Sequence, residues 1–391
     1  MNPLRILCAA DVPPDPDSGA AGTELRTIEA LRALGHEVDA IWAGDLRHRI
    51  RHGNLHYLLE LPAAYRDAIA ARCAARDYDV IHVNQPYAWL AARHHRRLGR
   101  PGVFVNRSHG WEPRVTAVMR PWRRTYGAPE WRFPRGLVGR PVRWVLEELY
   151  PRSVVRHADG ILVSSSEDRD FIVRRYAVEA ERVACVPQAP AAAFLRAPAP
   201  SMTPDRLRRV LYVGQYTLVK GTPVLAELFS RLAAERPELT LTWCCAEAAH
   251  AAARATLRPP ADRTVRFVPW MPQDRLLQLY DEHGIFVFPS FYEGFGKACL
   301  EAMSRGLCVV AAATGGMRDV VVHGRNGWLV PVGDAAGFLR AVFEAAGNLA
   351  AAQEVSRAAA AAAARYSWER VARETATFYA ALLGRRACPP A

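Results

Sequence analysis

The chain has 391 residues, with 51 Lys or Arg against 39 Asp or Glu, which gives a formal net charge of +12 at pH 7. Half of the residues are hydrophobic, which excludes a disordered chain and, at roughly 100–200 residues per domain, indicates two domains. Eight cysteines without a Cys-x-x-Cys spacing argue against a disulfide framework or zinc module and for reduced thiols in a cytoplasm.

The amino-terminal sequence predicts no leader. Residues 1–5 run directly into an apolar segment and lack the basic region and long apolar stretch of a signal peptide. No run approaches the ~18–20 apolar residues of a spanning helix. We therefore expect a soluble cytoplasmic protein.

The first half of the chain predicts an α/β fold. A continuous apolar run over residues 4–10 is typical of a buried strand, and a loop rich in Pro, Asp and Gly follows. Leu and Ile recur at helical spacing over residues 23–34, Gly35 is placed to end that helix, and residues 36–42 form the next strand. This order is a βαβ unit, which predicts a parallel sheet. Further strands are expected at residues 80–84, 102–106 and 160–164.

The pattern restarts in the second half. The proline-rich segment 191–207 is interpreted as an interdomain linker, residues 223–234 as a helix and the alanine-dense residues 335–365 as surface helices. Strands are expected at residues 209–214, 239–245, 265–268 and 285–289. The sequence therefore predicts two doubly wound domains, residues 1–190 and 208–370, with ligands bound in a cleft between them at the carboxyl ends of the strands.

The excess charge lies in residues 93–143, here called the basic segment. It holds thirteen arginines and two acidic residues, which accounts for +11 of the net charge. Its aromatic residues are Trp111, Trp122, Tyr126, Trp131 and Phe133. One interpretation is a docking face for an anionic membrane leaflet at the inner face of the membrane, and the other is a solvated arginine-rich loop. No nucleic-acid-reading module is recognisable, so nucleic acid is not an expected partner.

The type of basic residue is informative. Arginine supplies 49 of the 51, and the two lysines are Lys220 and Lys297. Both lie in turns that contain glycine, which points to sites that need a compact ammonium group rather than a planar guanidinium.

The segment richest in chemistry joins a strand to a helix through a glycine loop. Gly294 and Gly296 permit close backbone approach, and the N–H groups of a helix beginning near Lys297 would face an anion. Glu293 precedes this helix and Glu301 lies within it, so that one carboxylate can meet a sugar hydroxyl and the other a ribose. The alternative, a turn residue and a buried capping acid, stays open.

Several segments together resemble the retaining GT-B glycosyltransferases of the GT4 family, the glycosyl transferases group 1. In chain order they are Leu34-Gly-His-Glu-Val38, Asp159-Gly-Ile-Leu-Val-Ser164, Val213-Gly214 with Lys220-Gly221, Glu293-Gly-Phe-Gly296 through Glu301-Ala-Met303, Thr314-Gly-Gly316, His323-Gly-Arg-Asn-Gly-Trp-Leu-Val-Pro331 and Tyr366-Ser-Trp-Glu369. The resemblance covers nearly the whole chain. It implies two Rossmann-like domains, a UDP- or GDP-sugar donor, and a final helix over residues 371–391 that packs back on the first domain.

The resemblance also implies site residues. The donor-binding positions are Gly19, Gly22, Gly214, Gln215, Lys220, Trp270, Met271, Gly294, Phe295, Gly296, Lys297 and Glu301. The lysines would neutralise the donor's diphosphate, Glu301 would bind the ribose, and Glu293 would contact the transferred sugar as a catalytic residue. Trp270 and Met271 match the segment that holds the nucleobase, although either could be core.

In the first domain the resemblance implies a second catalytic residue, His109, which would face the donor sugar. Gly19 and Gly22 would line the first loop, or merely form a turn. Among the departures from the family pattern, Gln215 stands where an arginine is common, and Lys297 would replace the missing charge. Gln188-Ala-Pro190 and Arg318-Asp319 also depart from it, and they bear on the donor's identity more than on the fold.

Metal chemistry is not expected. Asp15-Pro-Asp17 has the D-x-D spacing of another glycosyltransferase fold, but it lies in a proline loop after the first strand and is interpreted as a turn. Lysines and a helix terminus would neutralise the diphosphate, so we predict no metal and no cofactor.

Three functional hypotheses follow. The first is a retaining hexosyltransferase with front-face attack, in which the departing diphosphate acts as the base because no nucleophilic carboxylate is evident near His109. Its acceptor would be lipid-linked or anionic, given the basic segment. The second is a nucleotide-sugar hydrolase or epimerase of the same fold, and the third is a non-enzymatic basic protein that binds nucleic acid or membranes.

Overall fold

The computed structural model describes residues 2–16, 19–51, 53–127 and 135–387. Asp17 of the D-x-D sequence, and Glu130, Trp131 and Phe133 of the basic segment, lie outside the described residues. Seven cysteines lie within them, and all seven are free thiols.

The described residues form two six-stranded sheets in which every pairing of neighbouring strands is parallel. The strands are β1 (Arg5–Ala9), β2 (Glu37–Ile41), β3 (Val80–Asn84), β4 (Val103–Arg107), β5 (Gly160–Val163), β6 (Val183–Cys185), β7 (Arg209–Val213), β8 (Thr240–Cys244), β9 (Arg266–Val268), β10 (Ile285–Phe288), β11 (Cys308–Ala312) and β12 (Trp328–Val330). The strand orders are β2-β1-β3-β4-β5-β6 and β12-β11-β10-β7-β8-β9. The predicted fold class, α/β with two doubly wound sheets, is confirmed.

Helices connect the strands in each sheet. They are α1 (Gly19–Ala33), α2 (Gly53–Leu55), α3 (Leu61–Ala75), α4 (Trp89–Arg97), α5 (Glu112–Tyr126), α6 (Arg135–Trp144), α7 (Tyr150–His157), α8 (Ser166–Tyr176), α9 (Ala192–Leu195), α10 (Pro204–Leu207), α11 (Thr222–Glu235), α12 (His250–Arg254), α13 (Ala261–Thr264), α14 (Gln273–Glu282), α15 (Lys297–Ser304), α16 (Met317–Val320), α17 (Ala335–Gly347), α18 (Leu349–Ala363) and α19 (Trp368–Ala387). Single π-helical turns, His56–Glu60 and Val145–Leu149, join α2 to α3 and α6 to α7.

The chain divides into two compact units. The first comprises residues 1–117, 127–188 and 368–391, and the second comprises residues 118–126 and 189–367. In the first unit, α19 packs against α1. Each unit has its own apolar core around its sheet, with Leu7 and Phe104 fully buried in the first and Leu211 and Phe286 fully buried in the second.

Residues 191–207, expected to be a linker, are packed into the second unit instead. Phe194 is buried in the second core. The Arg305 guanidinium donates to the backbone carbonyls of Phe194 at 3.4 Å, Ala197 at 2.7 Å and Pro198 at 3.1 Å. A proline-rich stretch has few backbone donors of its own, so a buried arginine satisfies the carbonyl groups that it cannot pair.

The basic segment is largely helical, which corrects the interpretation as a solvated loop. Much of it lies in α4, α5 and α6. Trp111 is fully buried in the first core, and Arg114 is buried in an ion pair with Asp168 at 2.9 Å. Trp122 stacks on Phe291 within the second unit, with ring centroids 4.2 Å apart. Trp111 and Trp122, both expected to form part of a docking face, are therefore packed against other side chains of the protein.

Of the helices in the described part of the chain, none has the length and apolar character required to cross a membrane.

Candidate active site

In the second unit, the predicted donor residues follow the carboxyl ends of neighbouring strands. Lys220 lies in the turn after β7, and Glu293 lies in the loop after β10, the strand beside β7 in the sheet. The Lys220 ammonium contacts both carboxylate oxygens of Glu293, with Nζ 3.0 Å from Oε1 and 2.8 Å from Oε2. Both side chains are partly exposed, 24% for Lys220 and 12% for Glu293, so a ligand can reach the pair.

Glycine allows these two turns to approach each other. Gly221 has φ +68°, and a Cβ there would lie 1.9 Å from the carbonyl oxygen of Pro289. The Phe291 N–H donates to the Val219 carbonyl at 2.9 Å. The turn that carries Lys220 is thus fixed by backbone contact to the loop that carries Glu293, which explains why the turn ends in Lys-Gly.

The helix α15 begins directly after this loop. Gly296 precedes it with φ +95°, and Lys297 and Glu301 lie one turn apart with Nζ 4.0 Å from Oε1. Burial raises the pKa of Glu301, and this rise is opposed by the Lys297 charge and by the hydrogen bond that the carboxylate accepts from the Ala191 N–H. The positive end of the helix dipole and the Lys297 ammonium together favour an anion at this end of the helix.

The remaining predicted donor residues lie in segments that follow strands of the same sheet. Gly214 directly follows β7, and a Cβ there would lie 2.4 Å from the Tyr212 hydroxyl. Gln215 is exposed, and Gly294 and Phe295 are buried in the loop before α15. Trp270 follows β9 and is 46% exposed, which excludes the alternative that it is core, whereas Met271 packs against the second core.

Gly19 and Gly22 belong to α1 rather than to the first loop, which corrects their expected place. Gly19 is the first residue of α1, and Gly22 lies within its first turns. A Cβ at Gly22 would lie 2.7 Å from the carbonyl oxygen of Pro16, so the preceding loop crosses the helix at this point. The expected loop is shorter because α1 begins earlier than the apolar spacing indicated.

In the first unit, His109 follows β4 and forms hydrogen bonds through both ring nitrogens. Its Nε2 lies 2.9 Å from Glu24 Oε1, and its Nδ1 lies 3.1 Å from the Gln188 amide nitrogen. With the amide oriented in this way, His109 Nε2–H donates to the carboxylate and Nδ1 accepts from Gln188. Gln188 also lies 3.4 Å from Ser164 Oγ, so a buried frame fixes the imidazole ring.

Glu24 is a buried carboxylate among positive groups. Burial alone would raise its pKa, but the His109 hydrogen bond and the charges of His109, His82 and Arg107 lower it to about 2. Arg107 Nε lies 3.9 Å from Glu24 Oε1, and His82 Nε2 lies 3.7 Å from Oε2. Burial lowers the pKa of His82 to about 4, and its Nδ1 is hydrogen-bonded to the hydroxyl group of Tyr379 on α19.

Glu24→Gln is expected to destabilise the protein in a pH-dependent way. Removal of the carboxylate leaves Arg107 buried without its counter-charge, which costs about 3 kcal/mol at pH 7. The folded pKa of Glu24 lies below the unfolded value, so its stabilisation is complete above about pH 4.5 and is lost as the pH falls towards 2. The free energies of unfolding of wild type and variant, measured by urea denaturation, should therefore differ at pH 7 and become equal as the pH approaches 2.

The matched control is Glu29→Gln, which removes an exposed carboxylate of the same helix that is paired with Arg26 at 2.9 Å. Exposed pairs contribute little, so this variant should match the wild type at both pH values. Equal stability of Glu24→Gln and Glu29→Gln at pH 7 would contradict the role of Glu24.

Glu24, His82 and Arg107 were not predicted from the sequence as site residues, although a signal for Glu24 was present. Glu24 precedes Ile28 and Leu31 by four and seven residues, so it lies on the buried face of α1. A carboxylate on an apolar stripe is rarely left unpaired. Glu24 is thus a carboxylate beside His109 that the sequence did not reveal. It is buried and hydrogen-bonded to His109, so it fixes the ring and is not placed to attack a substrate.

Within residues 2–16, 19–51, 53–127 and 135–387, no group of three or more His, Cys, Asp or Glu side chains is arranged to hold a metal ion.

Comparison with known proteins identifies the family of this chain. Residues 18–189 match the model of Glycosyltransferase Family 4, and residues 208–348 match that of Glycosyl transferases group 1. A D-inositol 3-phosphate glycosyltransferase of Streptomyces avermitilis is 30% identical over 334 residues, which cover 78% of this chain and 66% of that protein. A D-inositol 3-phosphate glycosyltransferase of Streptomyces scabiei is 28% identical, and the alignment covers 59% of this chain and 55% of that protein. The chain thus aligns with two thirds or less of the length of these relatives.

Solved structures share the fold over nearly the full chain. Sucrose-phosphate synthase from Thermosynechococcus elongatus has a TM-score of 0.72 at 20% identity and covers 97% of this chain and 99% of its own. Anabaena HepE, solved in complex with UDP and glucose, has a TM-score of 0.66 at 16% identity, and the match covers 96% of this chain and 99% of HepE. With both family models, these likenesses confirm the predicted family: the chain belongs to the GT4-type, group 1 glycosyltransferases with the GT-B fold.

Proposed function

We propose that this protein transfers a hexosyl group from a UDP- or GDP-sugar to an anionic or lipid-linked acceptor, with retention of the anomeric configuration. The observation that carries the proposal is the Lys220–Glu293 pair beside the amino end of α15. It presents an ammonium group for a diphosphate and a carboxylate for sugar hydroxyls at one edge of one sheet.

Donor binding is assigned to the second unit. Lys220, Lys297 and the amino end of α15 neutralise the diphosphate, since each charge-assisted hydrogen bond contributes about 1.5–3 kcal/mol. Glu301 accepts from the ribose hydroxyls, and the exposed Trp270 ring contacts the nucleobase. With positive charge supplied in this way, the proposed reaction uses neither a metal ion nor a cofactor.

In the proposed reaction the acceptor hydroxyl attacks the anomeric carbon on the face from which the diphosphate departs. The bond from that carbon to the phosphate oxygen breaks, and the departing diphosphate takes the acceptor's proton. Glu293 stabilises the positive charge that develops on the sugar ring, because a carboxylate has acceptor sites beyond those that Lys220 uses. In the first unit, His109 is the second proposed catalytic residue, with Glu24 and Gln188 fixing its orientation.

The acceptor is proposed to carry negative charge. The curated relatives are named for D-inositol 3-phosphate, which supports a phosphate-bearing acceptor here. The arginines of the first unit are consistent with either a soluble phosphate ester or a phosphate-bearing lipid, and with peripheral association with an anionic membrane.

The test combines nucleotide binding with product analysis. UDP or GDP should raise Tm, since a ligand that binds only the folded state stabilises it. Mass spectrometry with UDP- and GDP-hexoses should then detect a glycosylated product with D-inositol 3-phosphate or with a lipid extract. Free sugar or an epimer formed without acceptor would favour the hydrolase or epimerase, and the absence of both a Tm shift and a product would reject the proposal.

A further inference from the structure

Four large apolar side chains are exposed on two neighbouring helical segments of the first unit. They are Leu55 at 40%, Leu59 at 63%, Trp144 at 58% and Leu149 at 40% exposure, here called the apolar patch. Isolated exposed apolar residues are ordinary, whereas a group of them on adjacent elements indicates an interaction surface.

The two segments of the apolar patch are in contact. The π-helical turn after α2 packs against the π-helical turn before α7. The Tyr150 hydroxyl donates to the Leu58 carbonyl at 2.6 Å, which ties the helix after Leu149 to the turn that carries Leu59. Leu55 and Leu59 are four residues apart and share one helix face.

The surroundings of the patch are basic. Residues 47–51 read Arg-His-Arg-Ile-Arg and precede the first segment, with Arg49 and Arg51 exposed, and the exposed Arg152 follows the second. The acidic residues of both segments are paired with arginines: Glu60 with Arg47 at 3.5 Å, Glu147 with Arg143 at 3.9 Å and Glu148 with Arg175 at 2.9 Å. The patch therefore combines apolar side chains with exposed arginines.

The patch also lies at a defined edge of the sheet. The segment from Leu55 follows β2, and both helices run back to the amino ends of strands, α3 to β3 and α7 to β5. In a parallel sheet such helices begin near the carboxyl edge. His109, after β4, lies at that same edge.

We infer that the apolar patch docks this protein on an anionic lipid surface. Leucine and tryptophan side chains bury in the boundary between headgroups and acyl chains, while the arginines around them contact anionic headgroups. A nucleic acid would use the arginines and leave the four apolar side chains exposed. The inference rests on the proposed function in that it narrows the acceptor to one presented at a membrane.

This surface differs from the one that the sequence suggested. The basic segment extends into α4, whose exposed Arg96 and Arg97 precede β4 and lie at the opposite, amino edge of the sheet. These arginines, with the exposed Leu98 beside them, provide a matched comparison for the apolar patch.

The test is co-sedimentation of the full chain with vesicles of phosphatidylcholine containing about 30 mol% phosphatidylglycerol, in the absence of donor and acceptor. Wild type should bind these vesicles and not pure phosphatidylcholine, and binding should weaken between about 0.1 and 0.5 M NaCl. Leu59→Ser with Trp144→Ser should reduce partitioning about tenfold or more. Arg49→Gln with Arg51→Gln should also reduce it, which provides a second variant with no apolar change.

The controls are Leu98→Ser and Arg96→Gln with Arg97→Gln, which should bind like wild type. Loss of binding in these controls with retention in the patch variants would overturn the inference, as would absence of binding by wild type. Light scattering that finds a wild-type dimer and a monomeric patch variant would identify a self-association surface instead and also overturn it. The vesicle assay contains no substrate, so its result is independent of the transfer assay. A protein that does not bind vesicles can still transfer sugar, and a protein without transferase activity can still bind vesicles.

Discussion

Lys220→Ala is expected to lower kcat/KM about 10³-fold while the protein stays folded. The ammonium group is the compact cation beside the proposed diphosphate position, and it also holds both oxygens of Glu293. Its removal takes away charge stabilisation of the leaving group and frees the carboxylate to rotate. Initial rates with a UDP- or GDP-hexose, together with Tm in the presence and absence of the nucleotide, measure both effects.

A double-mutant cycle separates these contributions. If Lys220 and Glu293 act as one unit, Lys220→Ala, Glu293→Ala and the double variant should all show similar losses. Arg231→Ala is the matched control, because Arg231 forms an exposed pair with Glu235 at 3.1 Å on α11 of the same unit. Its kcat/KM should be that of wild type. A Lys220→Ala enzyme within about threefold of wild type would reject the assignment of this pair.

The meeting of Lys220 and Glu293 was predictable in part. Each turn was identified from its glycines and its place after an apolar strand. Their contact depends on β7 lying beside β10, and the order of strands along the chain does not specify that pairing. The family resemblance supplied what local spacing could not. The proximity of Lys297 and Glu301 was predictable from the sequence alone, because residues four apart on a helix share a face.

Where the sequence analysis failed, tertiary packing decided the structure. The linker expected at residues 191–207 is held by Arg305, a residue more than one hundred positions away, and local composition carries no trace of it. Three strands were also not predicted: β6 and β12, which have three residues each and lie at sheet edges, and β11, which has five. Glu24 was visible as a carboxylate on an apolar face, but its partners His109 and Gln188 become neighbours only in the folded sheet.

Gly315→Ala is expected to disrupt the loop that carries Glu293. Gly315 has φ +54°, and a Cβ there would lie 1.7 Å from the carbonyl oxygen of Glu293. An alanine side chain is strained at this φ and also forces the Glu293 backbone away from the turn, and with it the carboxylate away from Lys220. We expect a loss of about 3 kcal/mol or more in the free energy of unfolding, together with loss of nucleotide-dependent stabilisation.

Gly324→Ala separates the backbone strain of a positive φ from the steric clash with the Glu293 carbonyl. Gly324 lies in the same unit with φ +74°, and no heavy atom lies within 4 Å of its Cβ position, so this variant carries only the conformational strain, about 1–2 kcal/mol. Urea denaturation with and without UDP or GDP should show Gly324→Ala weakened but still stabilised by nucleotide, and Gly315→Ala weakened further and unresponsive. If the two variants unfold alike and respond alike to nucleotide, the contact between Gly315 and the Glu293 backbone does not hold the site.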